Sequence, residues 1–265
     1  MKQIIKEHLQ YKKQINKLAK YELIKTYRGA TLGWLWAIIK PVMTIFTYWF
    51  TFAIGLRMSK EMFGYPYFLW LIAGIIPWFY INEMLTVTSY SMKKYSYLIN
   101  KMNFPISIIP TFTSCSKIYV HIFLMLIVIW IFIISGVGLD IYLIQLPFYL
   151  IMMFIFFTAF SLLSSVLSVI SKDFYNLLKS ITHMLFWLSG VIWDVSLIGV
   201  PWLKQILYFN PITYIVNGYR NCFIKKVWFF EEPVQLAVFL GITVLVMILA
   251  VWLYKKNKKD IPDII

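Results

Sequence analysis

Three of the charged residues that interrupt otherwise apolar stretches of this sequence are Lys40, Glu83 and Lys117. A charge that faces hydrocarbon at the centre of a membrane costs at least about 2.5 kcal/mol, so such residues usually face a cavity or an opposite charge. We therefore expect these side chains to face a cavity or one another. Glu83 lies near one end of its stretch, and the sequence leaves open whether it forms a structural ion pair or has a functional role.

Lys40 is followed directly by Pro41, a combination that a simple membrane anchor would avoid. Proline inside a helix removes a backbone hydrogen bond and kinks the helix. Just upstream, Gly29 and Gly33 permit a tight bend because glycine adopts positive φ angles readily. The sequence predicts a bend at the glycines and a kink that makes room beside Lys40.

Aromatic residues make up 19% of the chain and are concentrated near the ends of the apolar stretches. They include Trp34, Trp36, Tyr48, Trp49, Trp70, Trp78, Phe79, Tyr80, Trp187 and Trp193. One interpretation is the belt of Trp and Tyr at the membrane–water interface. The other is a lining whose flat faces stack on sugar rings; composition alone favours the belt.

The sequence contains no recognisable catalytic motif. It lacks the G-x-x-x-x-G-K-[ST] motif that cradles ATP phosphates and any recognisable nucleophile elbow. The 11 acidic residues are scattered, without a pair that suggests a metal site. His121 and His183 are interpreted as packing residues, and Cys115 and Cys222 form no ligand pattern. We expect no catalytic residue, metal or cofactor in this chain, although an enzyme is not excluded.

Composition places most of the chain in lipid. Of its 265 residues 61% are hydrophobic, against roughly 45–50% in a soluble domain. A helix needs about 20 apolar residues to cross the hydrocarbon core. Six stretches are long enough: residues 32–56, 66–88, 106–137, 143–170, 175–193 and 234–254. The predicted fold is an all-α integral membrane protein with six transmembrane helices, forming a single domain over residues 1–265.

The net charge of +14 would suggest nucleic acid in a soluble protein. Here no soluble basic segment is left for that role. Lys and Arg are concentrated in residues 1–31, 89–105 and 255–265, which the positive-inside rule assigns to the cytoplasm. Both termini are therefore expected in the cytoplasm of the cell, with residues 255–265 as a short tail.

Three segments outside the spans are predicted to form short helices. Residues 4–24 carry apolar positions at spacings of three and four, flanked by lysines, which is typical of a helix in the membrane interface; an ordinary solvated helix is the alternative. The sequence of residues 88–104 predicts a short helix on the cytoplasmic surface that ends before Pro105. The alternative is a plain connector between two spans. Residues 201–230 are too apolar for a solvated loop, so we expect two short helices that dip back into the outer leaflet.

Two local patterns concern helix ends and packing. Pro110 predicts that the third stretch begins as a short separate helix. Four serines recur at helical spacing in the fourth stretch and predict close helix packing. They are Ser161, Ser164, Ser165 and Ser168. The sequence leaves open whether they pack within one chain or between two copies.

Seven blocks of the sequence resemble a known family. They are YRGATLGWLWAIIKP, TYWFTFAIGLR, YFLWLIAGIIPWFYINE, KMNFPISIIP, VISKDFYNLL, MLFWLSGVIWD and ILYFNPITYIVNGYRNCF. Together they are similar, in the same order, to the type-2 ABC exporter permeases for bacterial surface polysaccharides. Within that family the branch that exports wall teichoic acid is the most similar, while O-antigen and capsule permeases share most of these blocks.

The resemblance implies a half-transporter in the bacterial plasma membrane. Two copies would pair with two ATP-binding subunits, which hold the ATP and Mg²⁺ that this chain cannot bind. The cargo would be teichoic acid on an undecaprenyl diphosphate carrier, moved from the inner to the outer leaflet. The alternatives are export of another lipid-linked polysaccharide, such as O-antigen or capsule, and a stand-alone secondary transporter. A membrane enzyme acting on polyprenyl phosphates is a further alternative, which the absent carboxylate clusters disfavour.

The resemblance also implies roles for particular segments. The interface helix corresponds to residues 4–26, the helix that couples to the ATPase to 91–103, a second contact to 171–176 and the re-entrant hairpin to 201–224. Arg28 and Lys40 would attract the diphosphate at the cytoplasmic mouth. The channel-lining aromatics would be Trp34, Trp36, Tyr48, Trp49, Trp78, Phe79, Tyr80, Trp187 and Trp193. The coupling residues would be Ser91, Lys93, Lys94, Tyr95, Tyr97, Asn100, Lys101 and Asp173.

Overall fold

The computed structural model describes residues 2–56, 61–101 and 104–265 of the chain, except for the side chains of residues 2, 3 and 101. Over these residues the chain is almost entirely helical, apart from one two-stranded antiparallel hairpin. The apolar composition and the absence of long alternating patterns explain this, since helices satisfy their backbone hydrogen bonds without water.

The elements follow one another along the chain without a repeat. They are α1 (Lys2–Gln10), α2 (Lys12–Tyr27), α3 (Trp36–Trp49), β1 (Glu61–Met62), β2 (Tyr65–Pro66), α4 (Tyr67–Thr86), α5 (Ser91–Lys94), α6 (Ser96–Lys101), α7 (Ile108–Ile134), α8 (Leu146–Ile170), α9 (Lys172–Leu188), α10 (Pro201–Tyr208), α11 (Pro211–Arg220), α12 (Pro233–Asn257) and α13 (Ile261–Ile264). Short 3-10 or π turns extend several of these helices.

Within the residues that the structure describes, five helical stretches are long and apolar enough to cross a membrane. They are Gly33–Gly55, Tyr67–Asn100, Ile108–Ile134, Ile141–Ile170 and Pro233–Asn257. The chain is therefore an all-α, multi-pass membrane protein. Of the six predicted spans, the fifth corresponds to α9, which has 17 residues and ends before the positive φ of Gly190. A helix of this length is about 26 Å long, so the six-span topology stays a prediction.

Helix α4 is the centre of the larger of two apolar cores. Apart from Asn82 and Glu83 near its end it has no polar face, and its residues pack against α7, α8, α9 and α11. A helix without a polar face belongs in the interior. The smaller core joins α2, α5 and α7 to the end of α12, with Tyr254 and Ile261 fully buried. By contrast, the apolar window of α3 is not buried within the chain.

The predicted bend before the first span is present. Helix α2 ends at Tyr27, and Gly29 and Gly33 have φ angles of +90° and +49°. These angles lie in the left-handed region that glycine adopts without strain. The bend separates the basic N-terminal helices from α3 and sets the direction of α3.

Two predictions about helix ends are wrong. The third span does not begin as a separate helix: α7 runs continuously from Ile108, with Pro110 in its first turn, where the missing N–H would have no partner anyway. The surface helix over residues 91–103 is broken into α5 and α6 at Tyr95. Tyr95 turns into the smaller core there.

The four serines of α8 pack within the chain. Ser161, Ser164, Ser165 and Ser168 are all buried. Ser164 shares a 2.7 Å hydrogen bond with Ser89, in the turn that follows α4. The small side chains thus allow α8 to approach the turn after α4 closely.

Candidate functional site

A cavity of about 1000 Å³ lies between α2 and α3 on one side and α4, α7 and α9 on the other. Helix α3 contributes one face to it, since Trp36, Lys40 and Thr44 recur every four residues and therefore point the same way. Pro41 lies in the same wall. The cavity thus collects side chains from six helices, since Lys94 of α5 also lines it.

Lys40, Glu83 and Lys117 all line this cavity. Lys117 of α7 and Glu83 of α4 form an ion pair, with 2.7 Å between Nζ and Oε2. The Glu83 side chain is 40% exposed and that of Lys117 is 12% exposed. Lys40, Glu83 and Lys117 therefore face a cavity, as expected, and Glu83 and Lys117 also face each other.

Lys40 differs from Lys117 because none of the carboxylates that the structure describes forms an ion pair with it. Its Nζ lies 6.0 Å from the centre of the Trp36 ring. A cation over an aromatic face is stabilised by only about 0.5–1 kcal/mol at an exposed site. Lys40 therefore presents a positive charge to the cavity that an anionic ligand can use.

Six of the nine aromatic residues predicted to line a channel do line the cavity: Trp36, Tyr48, Trp78, Phe79, Tyr80 and Trp187. The other three lie elsewhere. Trp49 packs edge-on against Phe68 at 6.3 Å, and Trp193 donates a 2.7 Å hydrogen bond to the carbonyl of Trp187. Trp34 lines a different cavity.

Further lining residues were not predicted, among them Phe186 and His121. Phe186 lies between two of the predicted aromatic residues. The centre of its ring is 5.1 Å from that of Tyr48 and 5.2 Å from that of Trp78. His121 was interpreted as a packing residue, and it is buried, yet it also lines the cavity and its Nε2 shares a 2.7 Å hydrogen bond with the hydroxyl of Tyr219. The four-residue spacing from Lys117 was the one signal for His121, since residues i and i+4 of a helix share a face.

Arg28 does not line the same cavity as Lys40, which corrects the expectation of one shared mouth. It lines a neighbouring cavity of about 530 Å³ that is mostly apolar and includes Trp34 and Phe123. The reason is the bend at the glycines, which turns the chain between Arg28 and Lys40. Three residues line both cavities and separate them: Tyr27, Ala37 and Val120.

The segment formed by α5 and α6 is held to the N-terminal helices by Glu22. This carboxylate is buried in α2, and it accepts hydrogen bonds from Nζ of Lys94 and the hydroxyl of Tyr95. Lys94 also lines the cavity. Sequence reasoning missed Glu22, although an acidic residue in a strongly basic helix was a visible signal.

The predicted coupling residues divide into a buried and an exposed set. Ser91 and Tyr95 are buried in this chain, so they support the segment from inside rather than face a partner. Lys94, Tyr97, Asn100 and Asp173 are exposed, and Lys93 is half-buried. The side chain of Lys101 lies outside the described residues.

The segment before the last span contains the two predicted short helices, α10 and α11. It is anchored by Arg220, which is fully buried, stacks 3.4 Å over the Trp70 ring and donates to the carbonyls of Gly190 and Val191 at 2.6 Å each. Sequence reasoning did not single out Arg220. This contact fixes the chain just after α9, one of the helices that form the cavity wall.

A second buried charge lies in the same region. Asp194 pairs with Lys225 at 2.8 Å and accepts a hydrogen bond from the backbone of Ser196. Burial raises the pKa of the Asp194 carboxyl, but Lys225 and Ser196 outweigh it, so that the pKa lies below its usual range. The connection between α9 and α10 is therefore held by charge pairs as well as by apolar contacts.

Comparison with known proteins identifies relatives along nearly the whole chain. An O-antigen export system permease protein, RfbA, of Myxococcus xanthus is 20% identical over 84% of this chain and 85% of its own length. Two proteins of the same name from Klebsiella pneumoniae are each 22% identical, over 85% and 77% of this chain and 85% and 78% of their own lengths. The sequence pattern of the ABC-2 type transporter family matches residues 13–224 of this chain, and all the residues that line the cavity lie within this range. The chain therefore belongs to the ABC-2 type transporter family.

Proposed function

We propose that this chain is the permease subunit of an ATP-driven exporter that moves a polysaccharide linked to undecaprenyl diphosphate from the inner to the outer leaflet of a bacterial plasma membrane. ABC-2 permeases work with an ATP-binding subunit, and two copies of each would form the exporter. The observation that carries the proposal is the cavity, which combines the unpaired cation of Lys40 with eight Phe, Tyr and Trp side chains.

The cavity suits the two parts of such a cargo. A lysine ammonium is a compact point charge that binds phosphate, so Lys40 would attract the diphosphate. The aromatic faces would stack on the apolar C–H faces of sugar rings without gripping any one of them. A polymer could then slide along a lining such as Trp36, Trp78 and Trp187.

The relatives named as O-antigen export permeases support a polysaccharide of that class as the cargo. They support it better than teichoic acid, although the sequence blocks at residues 47–57 and 67–83 are similar to the branch of the family that exports wall teichoic acid. Teichoic acid is therefore the second candidate. The two cargoes share the diphosphate carrier but differ in the polymer, since teichoic acid repeats are themselves phosphorylated.

ATP hydrolysis on the partner would reach the cavity through the segment formed by α5 and α6. Its exposed residues Tyr97 and Asn100 would contact the partner, together with Asp173 at the start of α9. Movement of α5 would pass through Glu22 to α2. Because α2 leads into α3 across the glycine bend, a shift of α2 would change the width of the cavity.

The proposal is tested with the chain and its ATP-binding partner reconstituted together in proteoliposomes. Undecaprenyl-diphosphate-linked O-antigen is expected to stimulate ATP hydrolysis and to appear in the opposite leaflet only with ATP. Lys40→Gln is expected to reduce the stimulation severalfold, because the cavity loses its unpaired cation. Arg28→Gln is expected to have a smaller effect, since Arg28 lines the neighbouring cavity.

Lys13→Gln is the matched control, because Lys13 is an exposed lysine of α2 remote from the cavity lining. It is expected to leave the stimulation at the wild-type level. Equal stimulation by wild-type and Lys40→Gln protein would contradict the role of Lys40. Transport that follows an ion gradient without an ATP-binding partner would contradict the exporter itself and support a secondary transporter.

A further inference from the structure

The charges that line the cavity are unequally paired. Among the described lining residues there are three cations, Lys40, Lys94 and Lys117, and one carboxylate, Glu83. Glu22, which is not a lining residue, pairs with Lys94. Glu83 pairs with Lys117 from inside the cavity. The carboxylate of Glu83 therefore occupies a lysine that would otherwise be available to an anion in the same space.

The position of Glu83 allows it to be displaced. Its side chain is 40% exposed while that of Lys117 is 12% exposed, so the carboxylate is the more accessible partner. Ion pairs whose partners are exposed to water are stabilised by only about 0.2–1 kcal/mol, and the exposure of Glu83 places this pair nearer to that range than a fully buried pair. A ligand with more negative charge than one carboxylate can therefore compete with Glu83 for Lys117.

A second polar group lies close to Glu83. Tyr27, at the end of α2, has a raised pKa, first because it is partly buried and second because the negative charge of Glu83 opposes its ionisation. Tyr27 lines the same cavity and remains a neutral hydroxyl donor. Its phenol is thus placed to receive the Glu83 carboxylate once that carboxylate leaves Lys117.

We infer that Glu83 is an internal substitute for the anionic cargo: it pairs with Lys117 in the empty cavity, and a lipid-linked diphosphate displaces it to bind Lys40 and Lys117 together. This inference rests on the proposed function and names a specificity-determining residue for it. A doubly charged diphosphate can engage both lysines, whereas a singly charged phospholipid headgroup gains less by displacing a carboxylate of equal charge. Glu83 therefore selects for the diphosphate against the bulk lipids of the membrane.

The experiment measures ATP hydrolysis by the chain and its ATP-binding partner in nanodiscs of zwitterionic lipid, titrated with undecaprenyl diphosphate. Removing the competing charge in Glu83→Gln is expected to lower the half-saturating concentration about two- to fivefold, in line with the stabilisation of a hydrated ion pair. Lys117→Gln is expected to raise it. The double variant is expected to resemble Lys117→Gln, because Glu83 has nothing left to compete for.

Selectivity is measured in the same nanodiscs with phosphatidylglycerol added, and with soluble pyrophosphate in place of the lipid. Glu83→Gln is expected to lose stimulation in the presence of phosphatidylglycerol, whereas the wild-type protein retains it. Stimulation of the wild-type protein by soluble pyrophosphate at the same concentration would overturn the lipid-linked source. Glu231→Gln, which changes an exposed carboxylate remote from the cavity lining, is the matched control and is expected to behave as wild type.

A structural role for Glu83 gives a different pattern. Glu83→Gln would then melt at a lower temperature, and its half-saturating concentration would stay the same or rise, which would overturn the inference while the proposed function stands. If Glu83→Gln does not fold, Glu83→Asp serves instead, because its shorter carboxylate weakens the pair and is expected to shift the titration in the same direction. A wild-type complex that undecaprenyl diphosphate does not stimulate would overturn the diphosphate carrier, and this inference with it.

Discussion

At the scale of single residues, Arg220 shows how a charge is accommodated inside this chain. Its guanidinium is flat, so it stacks on Trp70 while its edge donates to the carbonyls of Gly190 and Val191. Gly74 leaves the space, since a Cβ there would lie 2.3 Å from Nη2 of Arg220. The arginine thus joins α4 to the end of α9.

Gly74→Ala is expected to destabilise the protein by about 1–3 kcal/mol, because the added methyl group overlaps the buried guanidinium and must displace it. The measurement is the thermal unfolding of the purified chain in detergent micelles. An unfolding temperature equal to that of wild type would show that Arg220 can move away at no cost, contrary to its tight packing.

Gly241→Ala is the matched control for this substitution. Gly241 also lies in a long apolar helix, α12, but a Cβ there would meet nothing within 4 Å. The free energy of unfolding of the Gly241→Ala protein is expected to change by no more than about 1 kcal/mol, which is the difference in helix propensity between glycine and alanine. The contrast between the two glycines isolates the contact with Arg220.

At the scale of elements, Glu22 is the link between the N-terminal helices and the segment formed by α5 and α6. Hydropathy predicted the long helices because their apolar length is a local property. The link could not be predicted, because it joins α2 to Lys94 and Tyr95 across more than 70 residues of sequence. The break at Tyr95 has the same origin, since a tertiary contact overrides a continuous helical pattern.

Tyr95→Phe is expected to weaken this link, because it removes the hydroxyl that donates to Glu22 and leaves the ring in the core. A lost hydrogen bond to a buried carboxylate costs about 1–3 kcal/mol. We expect a lower unfolding temperature and less polymer transported per ATP hydrolysed in the reconstituted exporter. Glu22→Gln is expected to act in the same direction and more strongly.

Tyr97→Phe tests whether the effect belongs to the link. Tyr97 lies two residues away in the same segment, but it is exposed. Its hydroxyl is expected to matter little for the stability of the isolated chain. If both variants lowered the unfolding temperature equally, the special role of Tyr95 and Glu22 would be ruled out.

At the scale of the whole molecule, the cavity is an arrangement of six helices that no single stretch of sequence encodes. The sequence predicted Lys40 and the aromatic residues as its candidates, because charges and rings in apolar stretches are conspicuous. It could not predict which rings face inward. Around Trp70 and Trp78, helix α4 is apolar on every side, so its periodicity does not distinguish Trp78 in the cavity wall from Trp70 beside Arg220.

Trp187→Ala is expected to slow export severalfold. One aromatic contact contributes roughly 1 kcal/mol, and a free-energy change of that size corresponds to a severalfold change in rate. Trp187 lines the cavity and is 52% exposed, so its removal should affect cargo contact more than folding. The measurement is the initial rate of polymer export from proteoliposomes at saturating ATP.

Trp252→Ala is the matched control, because Trp252 is 57% exposed on α12, remote from the cavity lining. Equal loss of rate in the two variants would indicate a membrane anchor rather than a lining role.

The wall shared by the two cavities has a pharmacological consequence. Tyr27, Ala37 and Val120 each line both spaces, so the partition is only one side chain thick. The neighbouring cavity is mostly apolar, whereas the main one contains the charges. A small apolar compound that fills the neighbouring cavity is expected to press on this partition and to inhibit export non-competitively, leaving Lys40 free. Resistance would then arise from substitutions such as a larger residue at Ala37, which reshape the partition without touching a charged group.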